Sequence, residues 1–228
     1  MTNKMILFSY NFPHRKTQDF IFYCFMNNIQ IDAVIACNWK KLKISKSKFK
    51  TKVNVNPLFH PIDICKKLKI DYFNYNHDSK ECLELLSKVK PKIGLISGAR
   101  IIPRSVINLF QKGIINFHPG DIPEIRGLNS SLRAIRFNHP QVVTAHLIDD
   151  KIDSGIILYK ERLDVDSNDT IHDINEKLYN LQISMIKKSI KLANNDEGKK
   201  VKLTSKYFYK FPFESEQEFF EYFKKYNP

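Results

Sequence analysis

Short apolar runs alternate along this chain with longer segments whose apolar positions recur at helical spacing. The runs Met5–Tyr10, Ile31–Cys37, Asp71–Asn74, Ile93–Ser97, Gly113–Phe117, Val142–Ile148 and Ile156–Arg162 predict strands. Between them, Thr17–Asn28, Ile62–Leu68, Ser79–Lys90, Pro103–Phe110 and Ser130–Phe137 predict helices. Asp78 with Glu81 forms a start signal for the third of these, and Pro103 sits near the start of the fourth. From Thr170 to Ala193, the positions Ile171, Ile174, Leu178, Leu181 and Met185 step by 3, 4, 3 and 4. That stripe predicts one long helix with its apolar face on the core or on a dimer partner. Strands alternating with helices argue for an α/β, doubly wound, mostly parallel sheet.

The lysine-rich stretch Trp39–Val55 has no period and reads as a surface loop. Asn194–Lys200 reads as a polar linker with a glycine stop, and Val201–Phe213 as an aromatic β-hairpin. Glu216–Tyr226 closes the chain as a short helix. The organisation expected is therefore a main domain over residues 1–165 and a C-terminal extension over 166–228.

Composition adds a little. With 228 residues, 43% of them hydrophobic and 12% aromatic, the chain can build a sizeable core. The net charge of +13 allows an anionic partner, but the lysines are spread throughout and form no stripe, so a nucleic-acid partner is not expected. Cys24, Cys37, Cys65 and Cys82 lie far apart without metal-ligand spacing, so no metal site is expected and reduced core thiols are. No apolar run approaches the roughly 18 residues of a membrane span, and the first apolar run reads as a core strand rather than a signal peptide. Together these features suggest a cytoplasmic protein.

Glycine placement locates the chemistry. Of seven glycines, six lie between Gly94 and Gly155. They bracket a strand that ends in Asn116, Phe117, His118, Pro119 and Gly120. Asn116 and His118 are two apart, so a strand points both to the same side, at the carboxyl end where open α/β sheets bind ligands. A turn-rich loop, Asp121 to Gly127, follows and carries Arg126. The block Val143–Gly155 then supplies His146 on a strand and Asp149, Asp150 and Asp153 at its exit. Upstream, Arg100, Ile101 and Ile102 occupy another strand-to-helix turn.

Jointly these motifs closely resemble the N10-formyltetrahydrofolate-dependent formyltransferases, a family with purine-pathway, methionyl-tRNA and nucleotide-linked amino-sugar branches. The resemblance covers residues 93–162 well and the rest in outline. It implies Asn116, His118 and Asp153 as the catalytic trio and His146 as a second active-site histidine. It also implies Arg100–Ile102 as a backbone segment against the pterin, with the loop carrying Asp149 and Asp150 closing on its other side. N10-formyltetrahydrofolate is the implied co-substrate. The chemistry suits these residue types: Asn116 and a protonated His118 can face a developing oxyanion, and Asp153 can raise the His118 pKa and accept the amine proton through water.

The acceptor is approached by elimination. Only 63 residues follow position 165, too few for the extra barrel of the tRNA branch beside a long helix. The first strand is followed by Ser9–Lys16 with no glycine, which disfavours the phosphate-cradling loop of the purine branch. His14, Arg15 and Lys16 instead precede a predicted helix start and form a candidate diphosphate site, although a solvated basic turn would look the same. Tyr207, Phe208 and Tyr209 are candidates for stacking a nucleotide base, with core or dimer packing as the alternative. Arg126 is a candidate phosphate contact or a loop anchor. The resulting expectation is N-formylation of a nucleotide-linked amino sugar, such as dTDP-4-amino-4,6-dideoxyglucose for a bacterial surface polysaccharide, by a homodimer. A glycinamide ribonucleotide or methionyl-tRNA type formyltransferase, and a non-catalytic anion- or nucleic-acid-binding protein on the same fold, are the alternatives.

Overall fold

The structure is a computed structural model, and it describes residues 4–40, 57–202 and 207–226. Most of the expected loop at Trp39–Val55 thus lies outside the described residues. The strands are β1 (Met5–Tyr10), β2 (Ala33–Cys37), β3 (Asp71–Asn74), β4 (Ile93–Ile96), β5 (Ile114–His118), β6 (Val142–Leu147), β7 (Ile156–Arg162) and β8 (Lys199–Lys200). The helices are α1 (Arg15–Met26), α2 (Pro61–Leu68), α3 (Lys80–Val89), α4 (Arg104–Ile107), α5 (Ser130–Arg136), α6 (Ile171–Ser184), α7 (Ile186–Asn194) and α8 (Glu216–Lys225).

One eight-stranded sheet runs in the order β3-β2-β1-β4-β5-β6-β7-β8. The first five strands pair in parallel, and the last three are added antiparallel. The order reverses at β1, which sits between β2 and β4, and such a reversal opens a crevice beyond the carboxyl ends of the strands. Because β1 and β2 are covered on both sides, they read as continuous apolar runs, not as alternating ones. On one face Leu7, Val34, Ile115, Phe117 and Ala145 share a core with Phe20 of α1, Leu178 of α6 and Ile186 of α7. On the other, Ile6, Phe8, Ile35 and Ile114 pack against Cys82 and Leu86 of α3 and Val106 of α4. The helices α6 and α7 of the expected extension therefore bury their apolar stripe in the main core.

Local chemistry sets the helix ends. The third helix starts one residue after the expected signal, because Ser79, not Asp78, is its cap, with Oγ accepting from Cys82 N at 3.3 Å. Thr170 and Asp173 form a reciprocal capping box at the start of α6. The expected single helix over 170–193 is interrupted at Met185. There the Ser184 hydroxyl donates to Leu181 O at 2.9 Å and that of Ser189 to Met185 O at 2.8 Å, side-chain bonds that compete with the helical ladder. All four cysteines are free and buried.

The C-terminal segment differs in detail from a self-contained hairpin. Its described residues pair with the main sheet and its loops. Lys199–Lys200 extends the sheet beside β7, and Phe208 bridges Gly127 in parallel, with Leu128 N donating to Phe208 O at 2.8 Å. Gly127 takes φ +98, and a Cβ there would stand 2.1 Å from Phe208 O. The tail lies on a path that only glycine leaves open. Phe213 and, on α8, Phe219 then pack onto Leu132 and Ile135 of α5.

Candidate active site

The antiparallel register of β5 and β6 builds the centre of the site. Asn116 stands directly opposite His146, and His118 opposite Thr144. Both pairs project from the face opposite Ile115, Phe117, Val143 and Ala145, which go into the core. Asn116 Nδ2 lies 3.1 Å from His146 Nε2, and His146 Nδ1 lies 2.7 Å from Ser154 O. A carbonyl only accepts, so Nδ1 carries the hydrogen and Nε2 accepts from the Asn116 amide. His146 is buried, and burial followed by the charge of His118 pulls its pKa down to about 4. The histidine thus holds the amide orientation of Asn116 and leaves its second Nδ2 hydrogen for a ligand.

His118 is equally constrained. Its Nε2 donates to Ile125 O at 3.0 Å and approaches the Ser130 hydroxyl at 3.3 Å. Ser130 Oγ donates to Gly127 O at 2.9 Å, so it too accepts from the imidazole. Gly120 makes room for this ring: a Cβ there would lie 2.6 Å from Nε2. Proton uptake is left to Nδ1, which faces Asp153 Oδ1 at 3.4 Å. Burial pulls the His118 pKa below the ordinary histidine value. Asp153 and the Ile125 carbonyl oppose that shift, and the charges of Lys16 and Arg126 add to it. The raised, protonated His118 expected from its proximity to Asp153 is therefore corrected: desolvation outweighs the carboxylate, and the imidazole is a proton acceptor at Nδ1.

Asp153 is held by backbone and loop chemistry. It takes φ +46, and its Oδ2 accepts from Gly127 N at 2.7 Å. Arg126 is buried and donates from Nε to Asp153 O at 2.8 Å and from its terminal nitrogen to Ile152 O. Of its two expected roles the structure supports the loop anchor. Asp149 also serves the loop, accepting from Lys151 N at 2.9 Å and from the Ser154 hydroxyl. Asp150 pairs with Arg104 at 3.6 Å on the surface.

Two cavities flank this loop. One, of about 570 Å³, is bounded by His118, Asp153, Ser130, Tyr179, Gln182 and Tyr207 among others. The second, of about 550 Å³, has Arg104, Ile107, Ile148, Asp149, Lys151 and Lys200 in its wall. Ser154, which receives His146, lines the second, and its neighbour Asp153 lines the first.

The remaining expected residues are distributed unevenly. Arg100 turns its guanidinium to Asn38 O, Ile101 is exposed and Ile102 is buried under α4. His14 shares a hydrogen with Thr17 Oγ1 at 2.9 Å, and burial, then Lys16, pulls its pKa down to about 4, so it is uncharged at neutral pH. Arg15 forms a bidentate pair with Glu176, both bonds 2.7 Å, and lies 4.1 Å over the Tyr179 ring. The expected three-cation diphosphate site is corrected accordingly: one member is neutral and one is engaged by α6. Lys16 alone keeps an ammonium turned toward the cavity wall, at Gln182. In the tail, Tyr207 lines the first cavity and Tyr209 is exposed. Phe208 is instead sandwiched with Arg133 at 4.3 Å and Phe137 at 5.9 Å, a packing role that removes it from base stacking. Sequence reasoning missed Ser130, Gln182 and Thr144, whose Oγ1 donates to Gly120 O at 2.7 Å. Gln182 had a visible signal, a polar residue one helical turn after Leu178 on the buried face of α6.

This arrangement agrees with what the chain resembles among known proteins. Residues 19–190 match the family described as formyl transferase, and the chain belongs to that family. Among curated relatives, the methionyl-tRNA formyltransferase of Caldicellulosiruptor saccharolyticus is 26% identical over 119 residues, 51% of this chain and 38% of that protein. That of Buchnera aphidicola is 25% identical over 142 residues, 61% of this chain and 41% of that protein. The match thus spans about two fifths of these relatives' length. Among solved structures, an N-formyltransferase from Helicobacter canadensis, in complex with folinic acid and dTDP-3-aminofucose, aligns with a TM-score of 0.62 at 21% identity, covering 91% of this chain and 71% of that one. Phosphoribosylglycinamide formyltransferase from Streptococcus pneumoniae aligns with a TM-score of 0.60 at 15% identity, covering 83% and 98%. At these identities the structural likeness establishes the shared fold.

Proposed function

We propose that the protein moves a formyl group from N10-formyltetrahydrofolate to the amine of a nucleotide-linked amino sugar, of the dTDP-4-amino-4,6-dideoxyhexose class. The observation that carries this reading is the pairing of the His118 imidazole with the Asp153 carboxylate at 3.4 Å in the wall of the 570 Å³ cavity, with the Asn116 amide two residues before His118 on the same face of β5. Formyl transfer between two bound substrates needs such an arrangement and gains chiefly from positioning.

The chain's groups divide the work. As the amine nitrogen bonds to the formyl carbon, the free Nδ2 hydrogen of Asn116 stabilises the negative charge developing on the formyl oxygen. His118 Nδ1, backed by Asp153, takes the proton that the amine sheds. The bond from carbon to N10 then breaks as the carbonyl re-forms, N10 takes the proton held on His118, and tetrahydrofolate leaves. The 550 Å³ cavity fits the donor in kind: Ile107, Ile148 and Val201 offer apolar surface to a flat ring, and Arg104, Lys151 and Lys200 offer cations to a carboxylate tail. The 570 Å³ cavity, with Tyr207 and Tyr179 in its wall, is the acceptor side. Support for the sugar class comes from the Helicobacter canadensis complex and from the absence of glycine in the Ser9–Lys16 stretch. A cytoplasmic homodimer serving surface-polysaccharide synthesis completes the reading.

The test is to mix the protein with formyl-folate and candidate amines and to follow tetrahydrofolate release. Turnover is expected with the dTDP-amino sugar and not with glycinamide ribonucleotide. Turnover with the ribonucleotide alone would move the protein to the purine branch, and turnover with no amine would favour a binding protein.

A further inference from the structure

The last two turns of α1 are apolar on every side. Phe20, Ile21, Phe22, Tyr23, Cys24, Phe25 and Met26 follow one another, and a helix of that kind is ordinarily enclosed by protein. Here the enclosure is one-sided. Phe20, Ile21 and Cys24 go into the core and Tyr23 packs at its edge. Phe22, Phe25 and Met26, at positions i, i+3 and i+4 of the outer side, are 40%, 57% and 76% exposed. The lead-in and first turn of α2 add Phe59 and Ile62, both exposed. Phe59 N donates to Gln18 Oε1 at 3.0 Å, which ties this segment beside α1 one turn before Phe22. A groove of about 270 Å³ continues the face past Phe25 to Ile29, Leu68 and Ile70.

The rim of this face is basic. α2 presents Lys66, Lys67 and, at its cap, Lys69, all exposed, against one carboxylate, Asp63. The exposed Phe220 on α8 has the opposite setting, a helix that carries Glu216, Glu218 and Glu221. A partner for the α1–α2 face must offer apolar matter to Phe22, Phe25 and Met26 and negative charge to the lysines at once. A soluble polyanion offers only the second. A second copy meeting the same face sets lysines against lysines, which opposes association. A bilayer with anionic headgroups offers both.

We propose that the outer face of α1 and α2 is a peripheral docking surface for an anionic bilayer, with Phe22, Phe25 and Met26 entering the interface and Lys66, Lys67 and Lys69 on the headgroups. The chain lies on the membrane through this face, and among the described residues no helix is long and apolar enough to cross it. After Met26 the chain returns to the start of β1, where Asp32 N donates to Met5 O at 3.0 Å. The exposed end of α1 is thus at the amino ends of the strands, and docking leaves the crevice at their carboxyl ends open to small molecules. The inference is independent of the formyl-transfer reading.

The probes are vesicles of phosphatidylglycerol and phosphatidylcholine in equal parts, and vesicles of phosphatidylcholine alone, sedimented with the full chain at low ionic strength. Binding is expected to the anionic vesicles, about tenfold or more weaker to the neutral ones, and falling as salt rises. Phe25→Ser with Met26→Ser, and separately Lys66→Glu with Lys67→Glu and Lys69→Glu, should each lower binding to the anionic vesicles about tenfold or more. Phe220→Ser should bind as the wild type does. Amide exchange in the last turn of α1 should slow on the vesicles, and that in α8 should not. No binding to anionic vesicles, equal binding to both kinds, or full binding in either multiple variant would overturn the proposal. So would self-association in place of vesicle binding, abolished by Phe25→Ser with Met26→Ser, which would give the face to a second copy. The lysine variant changes only exposed side chains and carries the test even if the apolar variant fails to fold. The vesicles hold neither formyl donor nor acceptor, so failure here leaves the formyl-transfer reading untouched.

Discussion

His146 accepts a hydrogen bond from the amide of Asn116 across the β5–β6 ladder, at 3.1 Å, while its own Nδ1 is committed to Ser154 O at 2.7 Å. An asparagine amide can present either its NH₂ or its oxygen to a ligand, and only the NH₂ stabilises an oxyanion. The pair settles that choice. We therefore read His146, expected from the resemblance as a second active-site histidine, as a residue that positions Asn116.

His146→Leu is therefore expected to lower kcat for formyl transfer by roughly 10–100-fold, with the acceptor KM changed little, because a misaimed donor loses part of what its deletion would cost. His146→Gln, which offers an acceptor oxygen from a similar distance, should recover part of the loss. Wild-type kcat in His146→Leu would separate Asn116 from any dependence on the histidine.

The His118 proton is the next point of leverage. With Nε2–H fixed on Ile125 O, the ring can gain a proton only at the nitrogen facing Asp153. His118→Ala and Asp153→Asn are each expected to lower kcat by at least ~100-fold, the range for a proton-transfer group. Lys16 is one of the charges holding the His118 pKa down. Lys16→Met should therefore raise that pKa, read directly from the imidazole resonances in a pH titration. A fall, or no movement, would show that the ammonium is not felt at the ring.

Much of this site was legible because strand periodicity is strict. Asn116 and His118 had to share a face, and the glycines around them marked where the backbone bends close. The opposition of Asn116 and His146 was not legible. It depends on the antiparallel register of β5 and β6, which the 23 residues between His118 and Val142 bring about through a connection that includes α5. Charge partners were equally hidden. Arg15 read as a free cation because Glu176 lies 161 positions away in sequence, on a helix whose docking only the tertiary fold decides. Phe208 read as a stacking platform for the same reason: Arg133 and Phe137, which pack against it, come from α5 and its C-terminal cap. Polar and aromatic side chains identify themselves in sequence, but their partners do not.

Acid should weaken the fold. His77 and His146 are both buried, and burial foremost pulls each to about 4 from an ordinary value near 6.5. The unfolded chain thus binds protons at these positions that the folded chain does not. Stability conferred by their neutral forms is complete above about pH 6.5 and is lost as pH falls toward 4. The loss is on the order of 3 kcal/mol per histidine at most. Thermal unfolding at pH 7 and at pH 4.5 should show a clear drop in Tm. A His77→Leu variant, which removes one of these buried histidines and keeps the apolar contact with Phe8, should show a smaller drop. An equal drop in both would locate the acid sensitivity elsewhere.

Gly127 ties Asp153 to the C-terminal segment. Its N–H donates to Asp153 Oδ2 at 2.7 Å, and its open side admits the Phe208 carbonyl. A methyl group there meets that carbonyl at 2.1 Å with the backbone at φ +98, so both the strain and the clash act against the tail. Gly127→Ala is expected to cost on the order of 1–3 kcal/mol of stability. It should also expose the backbone amides of Leu128 and Phe208, which bond across this junction at 2.8 and 3.1 Å, to hydrogen exchange. The same substitution moves the amide that orients Asp153, so kcat should fall together with the exchange protection. If protection at Phe208 were lost while kcat stayed at the wild-type value, the tail would be a covering for the site and not part of what holds Asp153 against His118.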